Sequence, residues 1–313
     1  MNWLTKIKTF GDKIKRNLEK KFPTKEEQAN SDWTALNCCT AGPKLKSELI
    51  ENLMVCPNCS FHHYISPKER FNIHFGENNW QEIKAPIPVD DPLLWSDSKS
   101  YKDRLKSARK LTGQSSAVLS CKTQIRGVNL VASAIDFKFI GGSIASAEGE
   151  NILQAVQTAI DNKCGYVLFS ASGGMRMMES LISLSQMTRM TIAINELKKN
   201  KLPFINIFCN PTAGGTTASI SSLSDIAISE RGATIAFSGK RVIQATIKEP
   251  LPEDFQTAEW AQRHGFCDLI IDREDIPKTL YSLLSILLKI DTEVKSENSN
   301  ETSALNIQTR EAS

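Results

Sequence analysis

Two glycine pairs, Gly173-Gly174 and Gly214-Gly215, each follow an apolar stretch of strand type and precede a helical pattern. Glycine at such a turn lets the backbone bend freely and leaves its N–H groups uncovered by side chains. Unpaired N–H groups at the start of a helix attract negative charge, and two from adjacent turns can converge on one carbonyl oxygen. The sequence therefore predicts a backbone oxyanion site, which would stabilise an enolate or a tetrahedral oxyanion. The alternative is that the glycines only permit tight turns and close helix packing.

The residues around these pairs offer little for acid–base catalysis. All four histidines lie away from the pairs in the sequence, and neither a Ser-His nor a Cys-His arrangement is visible. The frame Ser170-Ala171-Ser172-Gly173-Gly174 is not a nucleophile elbow. A general base could come from this chain but is not indicated; the nearest carboxylates are Asp136, Glu148, Glu150 and Glu179. Such a site suits a reaction whose base arrives with the substrate or cofactor.

A second set of residues with chemical potential is the cysteine group near the N-terminus. Cys56-Pro57-Asn58-Cys59 is a good zinc knuckle, whereas its upstream companion, Asn37-Cys38-Cys39, has two adjacent cysteines. Tetrahedral zinc needs four ligands. Cys39, Cys56 and Cys59 are three of them, and Cys38 or one of His62 and His63 would be the fourth. The pattern predicts a structural zinc site; the alternative is a relic ribbon that has lost its metal.

The composition is that of an ordinary soluble protein, with 313 residues, of which 23% are charged and 41% hydrophobic. The net charge of +3 is too small to imply nucleic-acid binding by itself. No apolar run approaches the roughly 20 residues that span a bilayer, and the N-terminus lacks the pattern of a secretory signal. The other four cysteines are scattered among apolar residues, as reduced buried thiols are. These features predict a cytoplasmic protein without a membrane span.

The glycine pairs belong to a main domain, predicted over 116–290, in which strands alternate with helices as is typical of an α/β fold. It opens with a hairpin whose strands, 117–120 and 128–132, flank a turn at Arg126-Gly127. A Rossmann fold fits less well, because no G-x-G-x-x-G follows the first strand. The remaining predicted elements, in chain order, are helix 152–160, strand 166–170, helix 175–199, strand 204–209, helix 216–224, strands 226–228 and 233–237, and helices 256–264 and 276–289.

Four further segments complete the predicted organisation. Residues 1–30 form a basic amphipathic arm, either a membrane-surface or nucleic-acid contact or a loosely held terminal helix or docking arm. Residues 31–63 form a zinc-ribbon-like module with a degenerate first cysteine pair, and 64–115 form a connecting segment. The polar residues 291–313 are expected to form a disordered tail.

Taken together, residues 32–290 resemble the beta subunit of the bacterial and plastid acetyl-CoA carboxylase carboxyltransferase. The resemblance is specific because many separate motifs occur in the same order. The segments that carry it are Trp33-Thr34, Asn52–Cys59, Tyr101–Leu105, Phe139–Ser143, Phe169–Met177, Pro211–Gly215, Phe237–Ile243 and Gly265–Asp268.

The resemblance implies a crotonase-type α/β superhelix of repeated ββα turns, with a small N-terminal zinc ribbon. It implies that the loops of Gly173-Gly174 and Gly214-Gly215 hold the thioester carbonyl of acetyl-CoA. The resulting enolate would attack carboxybiotin and give malonyl-CoA, while biotin itself, once decarboxylated, would take the methyl proton. That agrees with the absence of a base in the loops. The residues implied on the CoA side are Gly141, Gly142, Ser143, Arg176 and Arg241.

The resemblance also implies partners. An alpha subunit, a separate chain of the same fold, would supply the biotin side in an assembly of two alpha and two beta chains. The biotin carboxyl carrier protein would bring carboxybiotin, and biotin carboxylase would complete the complex. The compartment would be the cytoplasm, or the plastid stroma for a plastid-encoded chain.

This chain departs from the family pattern at several positions. Leu36 stands where the family has a cysteine, which breaks the first cysteine pair. Glu148 lies in a stretch that is normally small and apolar, and Lys240 stands where proline is common. The other departures are Ala145, which replaces a usual glycine, and Met175 and Met178, which replace smaller or polar residues. Together they indicate a diverged lineage in which the glycine pairs survive.

Two other functions fit parts of the sequence. A self-sufficient crotonase-type hydratase or isomerase would need a carboxylate pair beside the glycines, which the sequence does not indicate. A nucleic-acid-binding ribbon protein would use the lysine-rich arm beside the cysteine module, as a secondary activity. Such binding would depend strongly on salt.

Overall fold

The computed structural model describes residues 33–34, 38–39 and 42–290, except for the side chains of Trp33, Thr34 and Arg241. The basic arm 1–30, the position of Leu36 and the tail 291–313 lie outside the described residues. The expectations stated above for those segments therefore stay predictions.

The described residues contain nine strands in two sheets. A two-stranded antiparallel sheet, β1-β2, accompanies the N-terminal cysteines, and the other seven strands form one sheet in the order β3-β4-β5-β6-β7-β8-β9. The strands are β1 (Trp33–Thr34), β2 (Lys44–Leu45), β3 (Trp80–Glu82), β4 (Val118–Ile125), β5 (Val128–Ile135), β6 (Gly165–Ser172), β7 (Phe204–Thr212), β8 (Ile226–Glu230) and β9 (Leu269–Ile271).

Nine α-helices occur in the same part of the chain, and none of them is long and apolar enough to cross a membrane. Four short 3₁₀ turns lie between them, at Ile140–Gly142, Met177–Glu179, Ile220–Leu223 and Arg273–Asp275. The helices are α1 (Lys46–Glu51), α2 (Pro67–Phe75), α3 (Tyr101–Thr112), α4 (Ser146–Asp161), α5 (Ser180–Lys199), α6 (Gly214–Ala218), α7 (Lys240–Ile247), α8 (Ala258–Arg263) and α9 (Ile276–Leu287).

The hairpin of β4 and β5 forms as predicted and leads into the parallel part of the sheet. Arg126 and Gly127 have φ of 49° and 85°, which gives the two-residue loop the twist that a hairpin needs. The register pairs Ile125 with Val128. Strands β5 to β9 are parallel neighbours, so their carboxyl ends lie along one edge of the sheet. The loops that leave this edge carry the glycine pairs.

Both faces of the sheet are covered, which explains why β6 and β7 are buried along most of their length and mainly apolar. One face packs under α4 and α5, and the other under α2 and α9. Buried side chains on the first face include Ile152, Tyr166, Leu168, Met190 and Phe204. Those on the second include Phe71, Phe169, Ile205, Ile207 and Leu280.

The segment 64–115 contributes ordered elements to this body. Helix α2 begins at a capping box, in which Ser66 and Glu69 bond each other's backbone N–H, and Pro67 occupies its first turn. Strand β3 extends the main sheet by pairing Trp80 with Thr123 of β4. The division of the chain into separate units at 115 and 116 stays a prediction.

Several predicted elements beyond the first strands are corrected by the structure. The predicted strand 233–237 is absent from the described elements; Ile235 forms only a one-residue bridge to Thr212. A similar bridge joins Ile144 to Met175. At these two places the pairing is limited to a single residue on each side. The helix predicted from 175 begins at Ser180, after a 3₁₀ turn.

Candidate active site

Three glycine loops lie side by side and are joined by main-chain hydrogen bonds: the first carries Gly141-Gly142, the second Gly173-Gly174 and the third Gly214-Gly215. The N–H of Gly173 donates to the carbonyl of Gly141 at 2.8 Å, and Ile144 donates to Gly174 at 2.8 Å. The N–H of Ala213 donates to the carbonyl of Ser172 at 2.7 Å. The structure thus brings together the two glycine pairs that the sequence singles out and the Gly141-Gly142 loop that the resemblance implies, at the carboxyl edge of β5, β6 and β7.

Side chains are excluded from the contact between the second and third loops. A β-carbon on Gly174, whose φ is +113°, would stand 3.1 Å from the nitrogen of Gly215. A β-carbon on Gly214, whose φ is +64°, would stand 3.0 Å from the carbonyl oxygen of Gly173. These positions therefore require glycine for space as well as for backbone conformation.

The N–H groups of the two pairs are not equivalent. Gly173 and Gly174 donate internally, the latter to Ser172 Oγ at 3.1 Å, and Gly214 donates to the carbonyl of Phe237 at 3.0 Å. Within the described residues, the N–H of Gly215 has no acceptor, and neither has that of Met175. The Met175 side chain packs against the Cα of Gly215, so the two free donors belong to touching residues. Sequence reasoning missed Met175, although it directly follows a glycine pair.

Arg176, expected on the CoA side, is buried beneath the first loop with only 2% of its surface exposed. Its guanidinium donates to Ser143 O at 2.6 Å and to Ser143 Oγ at 3.1 Å. It also donates to the Tyr101 hydroxyl at 2.9 Å and pairs with Glu148 at 2.9 Å. Burial alone would lower the pKa of Arg176, but Glu148 and Tyr101 raise it above its ordinary value. Arg176 thus joins the Ser143 loop to the loop that carries Met175.

The carboxylates nearest to the glycines are all engaged by protein groups. Glu148 accepts the N–H groups of Ala117 and Ala145 at 2.9 and 3.0 Å. Glu179 accepts the Tyr101 hydroxyl at 2.8 Å and the N–H of Ser146 at 2.9 Å. The first turn of α4 is therefore capped from within the protein.

The two remaining carboxylates that the sequence places nearby also have partners. Asp136 accepts the Tyr64 hydroxyl at 2.7 Å and the Gln114 amide at 2.8 Å. Glu150 pairs with Arg189 at 2.6 Å on the surface between α4 and α5. All four carboxylates thus have structural contacts, and the site is built mainly from backbone donors.

An apolar cavity of about 330 Å³ adjoins the third loop. Phe237, whose carbonyl accepts from Gly214, lines it together with residues of α7 and α8. Its lining includes Thr217, Phe237, Ile243, Phe255, Trp260 and Phe266. Arg241 belongs to α7 beside this cavity, but its side chain is outside the described part of the structure.

The four N-terminal cysteines form a cluster of metal-ligating geometry. The sulfurs of Cys38, Cys39, Cys56 and Cys59 all lie within 4.8 Å of one another. Cys39 and Cys56 are 3.8 Å apart, close to the separation of about 3.8 Å that tetrahedral Zn–S bonds of ~2.3 Å imply. Burial opposes ionisation of Cys56, but the backbone N–H groups of Asn58 and Cys59 lower its pKa to about 7. The donor set fits a metal that prefers thiolate ligands.

The structure discriminates between the candidates for a fourth ligand. Cys38 lies in the cluster, with its sulfur 4.0 Å from that of Cys39. His63 lies just outside, with Nε2 3.6 Å from Cys38 Sγ. His62 is turned away and lies 3.9 Å from Glu230 and 3.6 Å from Asp272.

A buried arginine fixes this module to the main sheet. Arg273 donates to Glu230 at 2.9 Å and to the carbonyls of Leu53 and His63 at 2.8 and 3.1 Å. Arg70 of α2 binds the same carboxylate at 2.8 Å. The cysteine module and the end of β8 therefore share one buried network of charges.

Comparison with known proteins places this chain in a family. Residues 90–309 match the carboxyl transferase domain. The acetyl-coenzyme A carboxylase carboxyl transferase subunit beta of Pelagibacter ubique is 55% identical over 303 residues, covering 97% of this chain and 96% of that protein. The subunit of the same name from Sinorhizobium medicae is 40% identical over 290 residues, covering 92% of each.

Solved structures show the same fold at low identity. Transcarboxylase 12S, with methylmalonyl-coenzyme A and methylmalonic acid bound, gives a TM-score of 0.57 at 22% identity, covering 70% of this chain and 41% of that one. The Pseudomonas malonate decarboxylase MdcD-MdcE heterodimer gives 0.53 at 17% identity, covering 71% and 86%. These likenesses confirm the crotonase-type α/β fold. The chain belongs to the family of acetyl-CoA carboxylase carboxyl transferase beta subunits.

Proposed function

We propose that this chain is the beta component of the carboxyltransferase of acetyl-CoA carboxylase, which moves a carboxyl group from carboxybiotin to acetyl-CoA and yields malonyl-CoA. This is the first committed step of fatty acid synthesis. The observation that carries the proposal is the pair of free N–H groups, on Met175 and Gly215, where two glycine loops meet. The family relationship supports the same reaction.

In this mechanism the free N–H groups hold the thioester oxygen of acetyl-CoA. Negative charge develops on that oxygen as the methyl proton leaves, and donors fixed in place stabilise it without reorganising. The other glycine N–H groups keep the loops rigid: those of Gly173 and Gly214 donate to neighbouring carbonyls, and that of Gly174 donates to Ser172 Oγ. The bond between Ser172 and Thr216, at 2.8 Å, ties the second loop to α6 below. Gly173, Gly174, Gly214 and Gly215 thus act together, with Gly215 and Met175 as the groups that touch the oxygen.

Carboxybiotin supplies the carboxyl group and, once it has lost that group, the base that takes the methyl proton. The protein side of this proposal is consistent with the engaged carboxylates described above, since none of the four is left as a general base. For the same reason the self-sufficient hydratase or isomerase is the weaker candidate.

On the CoA side, we assign the loop of Gly141, Gly142 and Ser143 to the thioester arm of the substrate. Arg176 supports this loop from below through Ser143, so its role is positioning rather than direct contact. Arg241 stays a candidate for binding the charged part of CoA, because α7 begins beside the third loop.

The proposal includes a separate alpha subunit in an α₂β₂ assembly, with the biotin carboxyl carrier protein and biotin carboxylase as further partners. An exposed apolar surface beside the site supports a protein partner: Met177 is 77% and Leu181 75% exposed, and Leu184 and Ile192 follow on α5. The proposed compartment is the cytoplasm. Nucleic-acid binding by the arm 1–30 stays a secondary prediction.

For the cysteine cluster we propose one structural Zn²⁺ held by Cys38, Cys39, Cys56 and Cys59. The closed four-thiol set supports a structural rather than a catalytic ion. The cluster is joined to the body of the protein through Arg273, so metal binding would also stabilise the docking of residues 53–63.

One experiment tests the proposed function. The chain is purified alone and together with the alpha subunit, and the decarboxylation of malonyl-CoA is measured in the presence of free biotin. We expect turnover by the pair and none by the chain alone. An inactive, correctly assembled pair would overturn the proposal, and turnover of an enoyl-CoA by the chain alone would favour the hydratase.

A further inference from the structure

Glu148 occupies a position where the family resemblance leads one to expect a small apolar residue. It is completely buried, yet three groups donate to its carboxylate. These are the N–H of Ala117 at 2.9 Å, the N–H of Ala145 at 3.0 Å and the guanidinium of Arg176 at 2.9 Å. A buried carboxylate without partners would strongly destabilise the folded protein. With these three donors, the Glu148 carboxylate is compatible with the core.

The contacts of Arg176 connect Glu148 to the oxyanion loop. The side chain holds both Ser143 O and Ser143 Oγ, and the backbone N–H of Arg176 donates to the carbonyl of Ile144 at 2.8 Å. Met175, whose N–H is free, directly precedes Arg176 in the chain. The Met175 N–H lies in the same planar peptide unit as the Gly174 carbonyl, which accepts from the N–H of Ile144 at 2.8 Å. That Ile144 N–H shares its peptide unit with Ser143 O, to which the guanidinium donates at 2.6 Å. The direction of the Met175 N–H therefore depends on where the guanidinium is held.

Glu148 is the only carboxylate that binds this guanidinium directly among the described residues. The second buried carboxylate, Glu179, reaches Arg176 only through the Tyr101 hydroxyl. Without Glu148, the attraction on Arg176 would come from the Tyr101–Glu179 side alone. The guanidinium would then move toward that side and draw away from Ser143.

We propose that Glu148 is a positioning residue of the carboxyl-transfer reaction, which acts through Arg176 to aim the N–H of Met175 at the substrate oxygen. The inference rests on the proposed oxyanion site. It assigns a task to a residue that departs from the family pattern. The positioning by Glu148 stabilises mainly the transition state, because the negative charge on the oxygen is largest there.

The test compares Glu148→Gln and Glu148→Ala with wild type in the assembled complex with the alpha subunit. The assay is malonyl-CoA decarboxylation with free biotin, and kcat and KM are determined separately. Glu150→Gln is the matched control, since Glu150 lies on the same helix and pairs with Arg189 at the surface. Glu148→Ala restores a small residue and keeps the test open if the glutamine variant fails to fold.

We expect both Glu148 variants to lower kcat roughly 10-fold or more, as a misplaced donor does. The KM for malonyl-CoA should change much less than kcat, because the negative charge that this donor stabilises is largest in the transition state. The control should keep wild-type values. Folded Glu148 variants with wild-type kcat, or with a changed KM alone, would overturn the inference. An inactive wild-type complex would instead count against the proposed function, so the two failures are distinguishable.

Discussion

The backbone nitrogen of Gly215 lies 3.1 Å from the point at which a β-carbon of Gly174 would stand. The two residues come from adjacent turns of the fold, so the free N–H of one depends on the missing side chain of the other. This relationship explains why neither loop tolerates a side chain where the two meet. It also makes the oxyanion site open to a direct steric test.

The substitution Gly174→Ala should abolish most activity. The added methyl would lie over the Gly215 N–H, and loss of one oxyanion donor costs about 10²- to 10³-fold in kcat. The measurement is malonyl-CoA decarboxylation by the assembled complex. The control is Gly127→Ala, because Gly127 also has positive φ but would meet no atom within 4 Å. Equal losses in both variants would show that backbone strain, and not the covered donor, is responsible.

Tyr101→Phe should destabilise the protein. The hydroxyl donates to Glu179 at 2.8 Å and accepts from Arg176 at 2.9 Å, and its removal leaves two buried polar groups short of a partner. The expected loss in the free energy of unfolding is about 1–3 kcal/mol, measured by urea denaturation. Burial raises the pKa of Tyr101, so its hydroxyl stays protonated at the neutral pH of the measurement.

The control for this variant is Tyr281→Phe. The Tyr281 hydroxyl makes no hydrogen bond with the described residues, and its loss should change the free energy of unfolding by less than about 0.5 kcal/mol. If the two phenylalanine variants had the same free energy of unfolding, the hydrogen bonds of the Tyr101 hydroxyl would make no net contribution to stability.

The sequence predicts correctly those elements that depend only on residues close together in the chain. The hairpin turn at Arg126-Gly127 and the apolar strand β6 follow from short-range rules, and both are confirmed. The strand predicted over 233–237 was wrong, because extended residue types alone do not show whether a partner strand continues alongside. The helix predicted from residue 175 was also wrong at its start, because Met177–Glu179 form a 3₁₀ turn before α5.

The chemistry of the site was only partly accessible from the sequence. The glycine pairs were identified, but which of their N–H groups is free depends on carbonyls supplied by Gly141 and Phe237, far along the chain. The pairing of Glu148 with Arg176 was missed for the same reason, since 28 residues separate them and only the folded loops bring them together. Sequence patterns give the spacing of residues along the chain. They do not predict these contacts, which form between residues of different turns of the superhelix.

Arg273→Met should uncouple the cysteine module from the sheet. Its guanidinium neutralises buried Glu230 and binds the carbonyls of Leu53 and His63. Removal of one member of a buried charge network costs about 3–5 kcal/mol of stability. Hydrogen exchange should show faster exchange over residues 53–63, and denaturation should show the lower stability.

The matched control here is Arg231→Met. Arg231 pairs with Asp272 at 2.8 Å, but 48% of its side chain is exposed, so the cost should be below about 1 kcal/mol. A similar penalty for both variants would contradict a special role of Arg273 in docking the module.

Stability should fall in acid through Glu230. Burial opposes its ionisation, but Arg70 and Arg273 hold the pKa of this carboxyl well below its usual range. A depressed folded pKa gives stability that is complete above the unfolded pKa of about 4.3 and is lost as the pH falls toward the folded value. The free energy of unfolding should therefore decrease from about pH 5 downward. Glu230→Gln should be less stable at neutral pH and flatter in acid, whereas Glu274→Gln, at an exposed position, should follow wild type.

Metal analysis of variants should identify the fourth ligand of the cysteine cluster. Cys38→Ser should lose Zn²⁺ or bind it far more weakly, because the Cys38 sulfur lies within the cluster of four thiols. His63→Ala should keep one Zn²⁺ per chain, since a sulfur, and not the imidazole, completes the set. The two residues are a matched pair, because their side chains are only 3.6 Å apart and either change disturbs the same surroundings. Retention of zinc by Cys38→Ser with loss in His63→Ala would assign the histidine instead. A chain without zinc in wild type would favour the relic ribbon, in which the cluster survives through its packing alone.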